Sequence, residues 1–421
     1  MEVRVWGCRG SHPRPLTQEE LDKKYVALLE KLVTSGRVNE IRTENVTQEG
    51  LKQILDSLHS DELKTYGGNS SCYMVTTPGC DRVIFLDSGT GMTEAGKFLI
   101  GRKFATGGKP ILMDVLLSHG HNDHTEGFVF CGPTYMKDTE ANVYGLGHVS
   151  DQIQTAVVAH DESQKSGTRT IRRKRLLEAA KSLDTAVQIV KQEAGIIAPK
   201  QDSHVENGEG RTLATLSGYR AEGRHPVSLP MQAGMSNMGI SDILPGSTMQ
   251  LNGVEVYCAS GNHPQGALLY RLTERATGRT LVFTGDWEHG LRLDDLDPIT
   301  HQPKVASPRD FNREMIEFMT GAHVVLTDSQ YVGDHYNGKG KFPVSTRGWG
   351  HPIDTVVLDV VAEAAEKSGH PITAILTHHE PNYVDSFMNE RARMLQQYLE
   401  STGKDKLVSF MFAREGMIIK V

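Results

Sequence analysis

The sequence predicts an α/β protein built as a layered sandwich. Two observations predict it. Short apolar strands alternate with amphipathic helices along much of the chain, the pattern of sheets covered by helices rather than of an all-β barrel. The apolar strands also stop repeatedly in His or Asp, which collects reactive side chains at strand ends and leaves the strand bodies as core. The 421 residues suffice for one large or two ordinary domains with a sizeable core. A hydrophobic share of 38% and a charged share of 23% suit a soluble globular chain. The formal net charge of −7 argues against a broad basic surface for long nucleic acid but leaves a small phosphate ester open. Five cysteines (Cys8, Cys72, Cys80, Cys131 and Cys258), odd in number and without a CxxC, point to a reducing compartment rather than a disulfide framework. No apolar run reaches the ~20 residues of a membrane span, and Met1–Trp6 runs into an alternating strand without a signal peptide's apolar stretch. A cytoplasmic protein is expected.

Residues 2–6 alternate as a strand and end in the Gly/Pro turn Gly7-Cys8-Arg9-Gly10-Ser11-His12-Pro13. Leu21, Tyr25, Leu28, Leu29 and Leu32, then Leu51, Ile54, Leu55 and Leu58, recur at helical spacing and mark a helical insertion over 16–62. Strands follow at Cys72–Thr76 and Arg82–Leu86, the second ending in Asp87-Ser88-Gly89-Thr90-Gly91. A helix over Thr93–Ile100 leads to the strand Ile111–Leu117. Residues 150–240 form a second insertion. In it Leu176, Leu177, Ala180, Leu183, Val187 and Val190 mark one amphipathic helix. Its basic start (Arg169, Arg172, Arg173, Lys174, Arg175) reads as a solvated face or dimer contact, with phosphate gathering the alternative. Gly, Ser, Met and Pro make 201–245 a loop or lid. Strands return at Val254–Ala259, Ala267–Leu272, Thr280–Phe283, Val324–Leu326 and Ala374–Leu376, with helices at Arg313–Met319, Asp354–Lys367 and Asp385–Tyr398. A terminal strand falls at Val408–Phe412 or Met417–Val421. One domain over 1–421 with two insertions, 16–62 and 150–240, is expected.

The strand Ile111–Leu117 ends in Ser118-His119-Gly120-His121-Asn122-Asp123-His124, four metal-capable side chains within six residues. Clustered His and Asp gain nothing from a core, so the run reads as a metal site; the bland alternative is a polar strand-to-helix turn capped by Asp123. Partners of the right chemistry follow other strands: His263 in Gly261-Asn262-His263-Pro264, Asp286 after Phe283-Thr284-Gly285, and His378 after Leu376-Thr377. Singly each is an ordinary turn residue. Jointly they supply about three ligands for each of two divalent metals plus a bridging carboxylate, the inventory of a two-metal site. His119, His121 and His263 suit one metal, Asp123, His124 and His378 the other, and Asp286 the bridge.

With these residues the chain resembles the metallo-β-lactamase-fold hydrolases, and more narrowly their phosphodiesterase branch. That branch includes phosphoribosyl cyclic phosphodiesterase, small cyclic-nucleotide phosphodiesterases and ribonuclease Z. Further stretches carry the resemblance: Trp6–Pro13, Gly67-Gly68-Asn69-Ser70-Ser71-Cys72, Leu86–Gly91, His263–Arg271, Gly348-Trp349-Gly350-His351 and His378-His379-Glu380-Pro381. Departures at Gln265, Pro352 and Glu380 leave the metal motif intact but open the identity of the substrate. The resemblance implies an αββα sandwich and metal-assisted hydrolysis of a phosphodiester by a hydroxide between two metals. Zinc is the expected metal, with manganese accepted by the same donors. The substrate it implies is a small cyclic nucleotide or cyclic phosphate. It also implies that Asp123 steers the attacking water, and it suggests a homodimer. His351 is the candidate acid for the leaving group, against a role in orienting or stacking. His379 is the alternative acid, and Arg347 and Arg271 are candidate phosphate contacts. Three other functions compete. A ribonuclease Z-type endonuclease is disfavoured by the net charge and by the acidic start of 287–320 (Asp294, Asp295, Asp297), where that enzyme carries a basic arm. The others are a metal-bound nucleotide sensor without turnover and a carboxylic or thioester hydrolase.

Overall fold

The computed structural model describes residues 1–41, 46–58, 63–146, 227–229, 237–264, 266–297 and 299–421. Fifteen strands are found among them: β1 (Glu2–Gly7), β2 (Cys72–Thr76), β3 (Val83–Leu86), β4 (Ile111–Leu116), β5 (Thr139–Gly145), β6 (Val227–Leu229), β7 (Asn237–Asp242), β8 (Thr248–Leu251), β9 (Val254–Ser260), β10 (Leu268–Glu274), β11 (Thr280–Phe283), β12 (Val324–Asp328), β13 (Ile372–Thr377), β14 (Val408–Phe412) and β15 (Ile418–Lys420). They form an eight-stranded sheet, order β15-β1-β2-β3-β4-β5-β7-β6, and a seven-stranded sheet, order β14-β13-β12-β11-β10-β9-β8. Both of the terminal stretches read as alternatives from sequence are strands, one in each sheet.

Why two sheets stack is written in the side chains. Val3 and Val5 of β1, Ile84 and Leu86 of β3, and Leu116 of β4 pack against Val254, Val256, Leu268, Tyr270, Leu281 and Phe283 of the other sheet, forming the central core layer. The outer faces are apolar too, so β3 and β12 are buried at every position, as parallel strands covered on both sides must be. Helix α3 (Gly91–Ala105) covers the first sheet through Met92, Ala95 and Leu99. Helices α5 (Phe311–Met319), α7 (Asp354–Ser368) and α8 (Asp385–Thr402) cover the second, with the single turn α6 (Gly333–Tyr336) between α5 and α7 in the chain. On α7, Val357, Leu358, Val361 and Ala365 recur at helical spacing on the buried face, and the helix stops at Gly369 in the left-handed conformation (φ 70°). The result is the αββα sandwich that the resemblance implied.

Within 16–62 lie α1 (Gln18–Thr34), begun by a Thr17–Glu20 capping box, and α2 (Gln48–Ser57). The loop expected over 201–245 is corrected: β7 pairs in parallel with β5, and β6 pairs with the far side of β7. Asn237-Met238-Gly239-Ile240-Ser241-Asp242 lacks a strong strand pattern, and the open edge of β5 supplies the backbone partners that its side chains do not advertise. The rest of 150–240, including the helix around Leu176–Val190 and its basic start, lies outside the described residues, as does Gln265.

Strand direction places the site. β3, β4 and β5 run parallel, as do β11, β12 and β13. β9 is parallel to β11 because both are antiparallel to β10. The residues that follow β3, β4, β9, β11 and β13 therefore gather at the carboxyl ends of their sheets, where open α/β sheets bind ligands.

Candidate metal centre

After β4 the chain turns through His119 and Gly120 into the single helical turn α4 (Asn122–Thr125), whose N-cap is His121. Asp123 lies inside this turn and does not cap it. Its carboxylate faces inward, Oδ2 3.1 Å from His378 Nε2. Two groups of donors converge, each with its ligand atoms within 4.8 Å of one another: His119, His121, His263 and Asp286, and Asp123, His124, Asp286 and His378. All seven residues expected from sequence are brought together, with Asp286 shared between the groups. Only His121 is half-buried.

The protons and lone pairs in this cluster fit a bound cation. His124 Nδ1 lies 2.6 Å from Asp87 Oδ2. Asp87 is itself fixed by the Ser118 amide at 2.7 Å and the Ser118 hydroxyl at 2.8 Å. A carboxylate behind Nδ1 places the ring proton there and turns the Nε2 lone pair inward. Behind His378, Gln330 Oε1 lies 2.9 Å from Nδ1. The Gln330 amide nitrogen donates to Glu380 Oε2 and Ser11 Oγ, both at 3.1 Å, which fixes which end of the amide faces His378. So both rings aim Nε2 at the same point, 3.2 Å apart, where two lone pairs repel unless a proton or a metal stands between or beside them. In the other group His119 Nε2, both ring nitrogens of His263, and Asp286 Oδ1 are buried without a hydrogen-bond partner. Buried polar atoms are rarely left so, and metal coordination satisfies them. The donor set suits divalent metal binding.

Electrostatics agree. Burial pulls His119 well below the usual imidazole range and His263 down to about 3, so both stay neutral and available as ligands. His124 is also penalised by burial, yet Asp286, Asp123 and Asp87 around it push its pKa well above the ordinary value. Burial disfavours ionised Asp123 and Asp286, but the imidazoles of His124 and His378 outweigh it and hold both carboxyls well below the usual range.

An open cavity of about 440 Å³ lies over the cluster, lined by Ser11, Gly120, His121, Asn122, Asp123, Asp286 and His351. His351 Nδ1 is 2.8 Å from Asp328 Oδ2. Burial opposes charge on this ring too, but Asp328, Asp286 and Asp123 raise its pKa to about 9. Asp328 was not anticipated, although it ends the apolar strand β12 as Asp286 follows β11. Asp328 and His351 also fall within 4.8 Å of Asp286 and His378. They bond directly to each other, whereas His119 Nε2 and both ring nitrogens of His263 have no hydrogen-bond partner.

Two expected substrate contacts are corrected. Arg271 donates from Nη1 to Phe318 O and Thr320 O, both at 2.9 Å, at the carboxyl end of α5. Alternation along β10 puts it on the face opposite the buried Tyr270, whose hydroxyl reaches Leu117 O at 2.7 Å between the sheets. His379 turns away from its neighbour His378, because His378 takes a positive φ of 58°. The His379 ring packs edge-on against Tyr66 and Phe412, Nε2 bonds Ala413 O at 2.8 Å, and burial lowers its pKa to about 3. Arg347 is exposed and donates to Asn337 Oδ1 at 2.6 Å, outside the cavity wall.

Two mixed sheets covered by helices on their outer faces are consistent with a metallo-β-lactamase sandwich fold. No protein-family model matches the chain, and no curated protein does. Solved structures do. The chain is similar to the metallo-β-lactamase fold protein YhfI from Bacillus subtilis, at 12% identity and a TM-score of 0.46, with 99% of this chain and 98% of that one covered. It is similar to yeast PDE1 at 12% identity and a TM-score of 0.48, covering 85% of this chain and 98% of that one. Human tRNase Z, short form, is similar at 10% identity and a TM-score of 0.42, with 100% and 99% covered. Identities this low leave the chemistry of the site to its own residues.

Proposed function

We propose that the protein is a metal-dependent phosphodiesterase whose substrate is a small cyclic nucleotide or cyclic phosphate. The observation that carries it is the pair of donor groups meeting on Asp286, with the His351–Asp328 pair on the wall of the same cavity. Two divalent cations, zinc by preference of this N/O set and manganese as the other fit, would polarise a phosphoryl oxygen and acidify a water there. His119, His121 and His263 would hold one and Asp123, His124 and His378 the other, and Asp286 belongs to both donor groups.

The chain's own residues supply the rest. Asp123, on the cavity wall, orients the attacking water and accepts its proton. The water oxygen bonds to phosphorus, the ester P–O bond breaks, and the departing alkoxide takes a proton from His351 Nε2. Asp328 fixes the ring by holding Nδ1, so that Nε2 is the nitrogen left to donate. A cavity of about 440 Å³ suits a ligand of nucleotide size.

Turnover of bis-p-nitrophenyl phosphate, then of a cyclic-nucleotide panel against precursor tRNA, tests the reading. Cleavage of precursor tRNA with no turnover of any small diester would overturn it in favour of an RNA-processing endonuclease. Asp123→Ala and His121→Ala are expected to lower kcat about a thousandfold with the circular dichroism of the fold retained; wild-type rates in either would refute the two-metal assignment.

A further inference from the structure

One buried carboxylate ties three site loops together without lining the cavity. Glu288, two residues past Asp286, is 3% exposed. Its Oε1 accepts from the Tyr336 hydroxyl at 2.6 Å and the Gly348 amide at 2.7 Å, and its Oε2 accepts from the Gly350 amide at 2.7 Å. The Gly348 and Gly350 amides can only donate, so each must find an acceptor, and the two carboxyl oxygens of Glu288 supply one apiece. Its backbone is fixed as well: the Glu288 amide donates to Asn262 O at 2.7 Å, and Asn262 Nδ2 donates to Glu288 O at 2.8 Å, next to the candidate ligand His263. The clamped peptides of Gly348 and Gly350 lead directly into His351. Gly350 takes φ 96°, and a Cβ there would stand 2.2 Å from His263 Cδ2, so this loop lies hard against a ligand ring.

We propose that Glu288 is a positioning residue for the acid: by gripping two amides of the 348–350 loop it aims His351 at the leaving oxygen and seats the loop on His263. The proposal rests on the phosphodiesterase reading, and it assigns Glu288 to the leaving-group half of the reaction. Asp123, on the attacking half, is not among the hydrogen-bond partners of Glu288. In Glu288→Gln an amide nitrogen replaces one acceptor and faces a peptide N–H, so one side of the grip is lost at nearly constant volume.

The test compares two substrates at full metal occupancy, checked by elemental analysis, with folding checked by thermal melting. A cyclic nucleotide expels an alkoxide that needs a proton; bis-p-nitrophenyl phosphate expels a phenolate that does not. Glu288→Gln is expected to lower kcat on the cyclic nucleotide by about thirtyfold or more, since an acid contributes about a hundredfold or more, and on the nitrophenyl ester by about threefold at most. Glu288→Asp keeps both acceptors on a shorter arm and gives the same split in smaller measure, so a misfolded Gln variant leaves the test standing. Tyr336→Phe removes only the bond outside the loop and leaves the ratio of the two rates unchanged. Equal losses on both substrates, or no loss on either, would overturn the positioning role. A wild-type protein that hydrolyses neither ester refutes the phosphodiesterase reading itself, a separate result.

Discussion

His124 and His378 are aimed by what stands behind them, and that arrangement makes a sharp prediction at the residue scale. Asp87 sits at the end of β3 with a positive φ of 58°, a strained placement for a residue other than glycine and one that persists only where the surroundings demand it. Its return is the 2.6 Å contact that fixes the His124 tautomer. Asp87→Asn keeps the shape but removes the charge that raises ligand basicity. Metal affinity is expected to fall about 10- to 100-fold, read by competition with a chromogenic chelator, while kcat at saturating metal changes little. Unchanged affinity would deny Asp87 its orienting role. The seven ligand candidates were legible because His and Asp are conspicuous after apolar runs. Asp328 obeys the same rule, but the apolar run Val324–Leu326 gives way to Thr327 before it, so the sequence does not mark it. Gln330 and Glu288 carry no such signal: their partners (His378, and the amides of Gly348 and Gly350) lie 48 to 62 residues away. Arg271 and His379 misled by adjacency to real motifs. A strand's alternation and one left-handed residue turned both away from the site.

Elements were legible where apolar content was high. β2 matched its expected bounds, and β9 to β13 and their covering helices matched within a few residues, since a buried strand must be almost wholly apolar. β7 was missed because its pairing with β5, not its composition, makes it a strand. One inter-element tie offers a stability test. Asp354 begins α7 and is 2% exposed. It receives Arg391 of α8 through two bonds, from Nε at 2.6 Å and Nη2 at 2.5 Å, and so locks the two covering helices. Arg391 is half-buried, and removing its carboxylate partner takes away two charge-assisted hydrogen bonds, at about 2 kcal/mol. Asp354→Ala is therefore expected to lower the urea midpoint markedly at unchanged m-value, with kcat retained below the transition. A midpoint within error of wild type would show that the pair contributes nothing net.

The donors come from both halves of the molecule. His119, His121, Asp123 and His124 follow β4 of the first sheet, while His263, Asp286 and His378 follow strands of the second. A metal held by both sets pins the sandwich shut at one edge, so metal removal is a statement about the whole fold. A cation at a thousandfold over its Kd stabilises the native state by ~4 kcal/mol, enough to raise Tm by several degrees. The pH dependence follows from His124. Its folded pKa is raised above the unfolded value of about 6.5, so in the metal-free protein its contribution to stability is fully present below that value and is lost as pH rises through the raised one. Metal, in contrast, must displace that proton and binds better as pH rises. The two trends oppose each other, and the gap in Tm between loaded and chelator-stripped protein should therefore widen steadily from pH 6 to pH 9. Differential scanning calorimetry of the two forms measures it directly. A gap that stays constant or narrows with pH would mean that His124 does not exchange its proton for a metal.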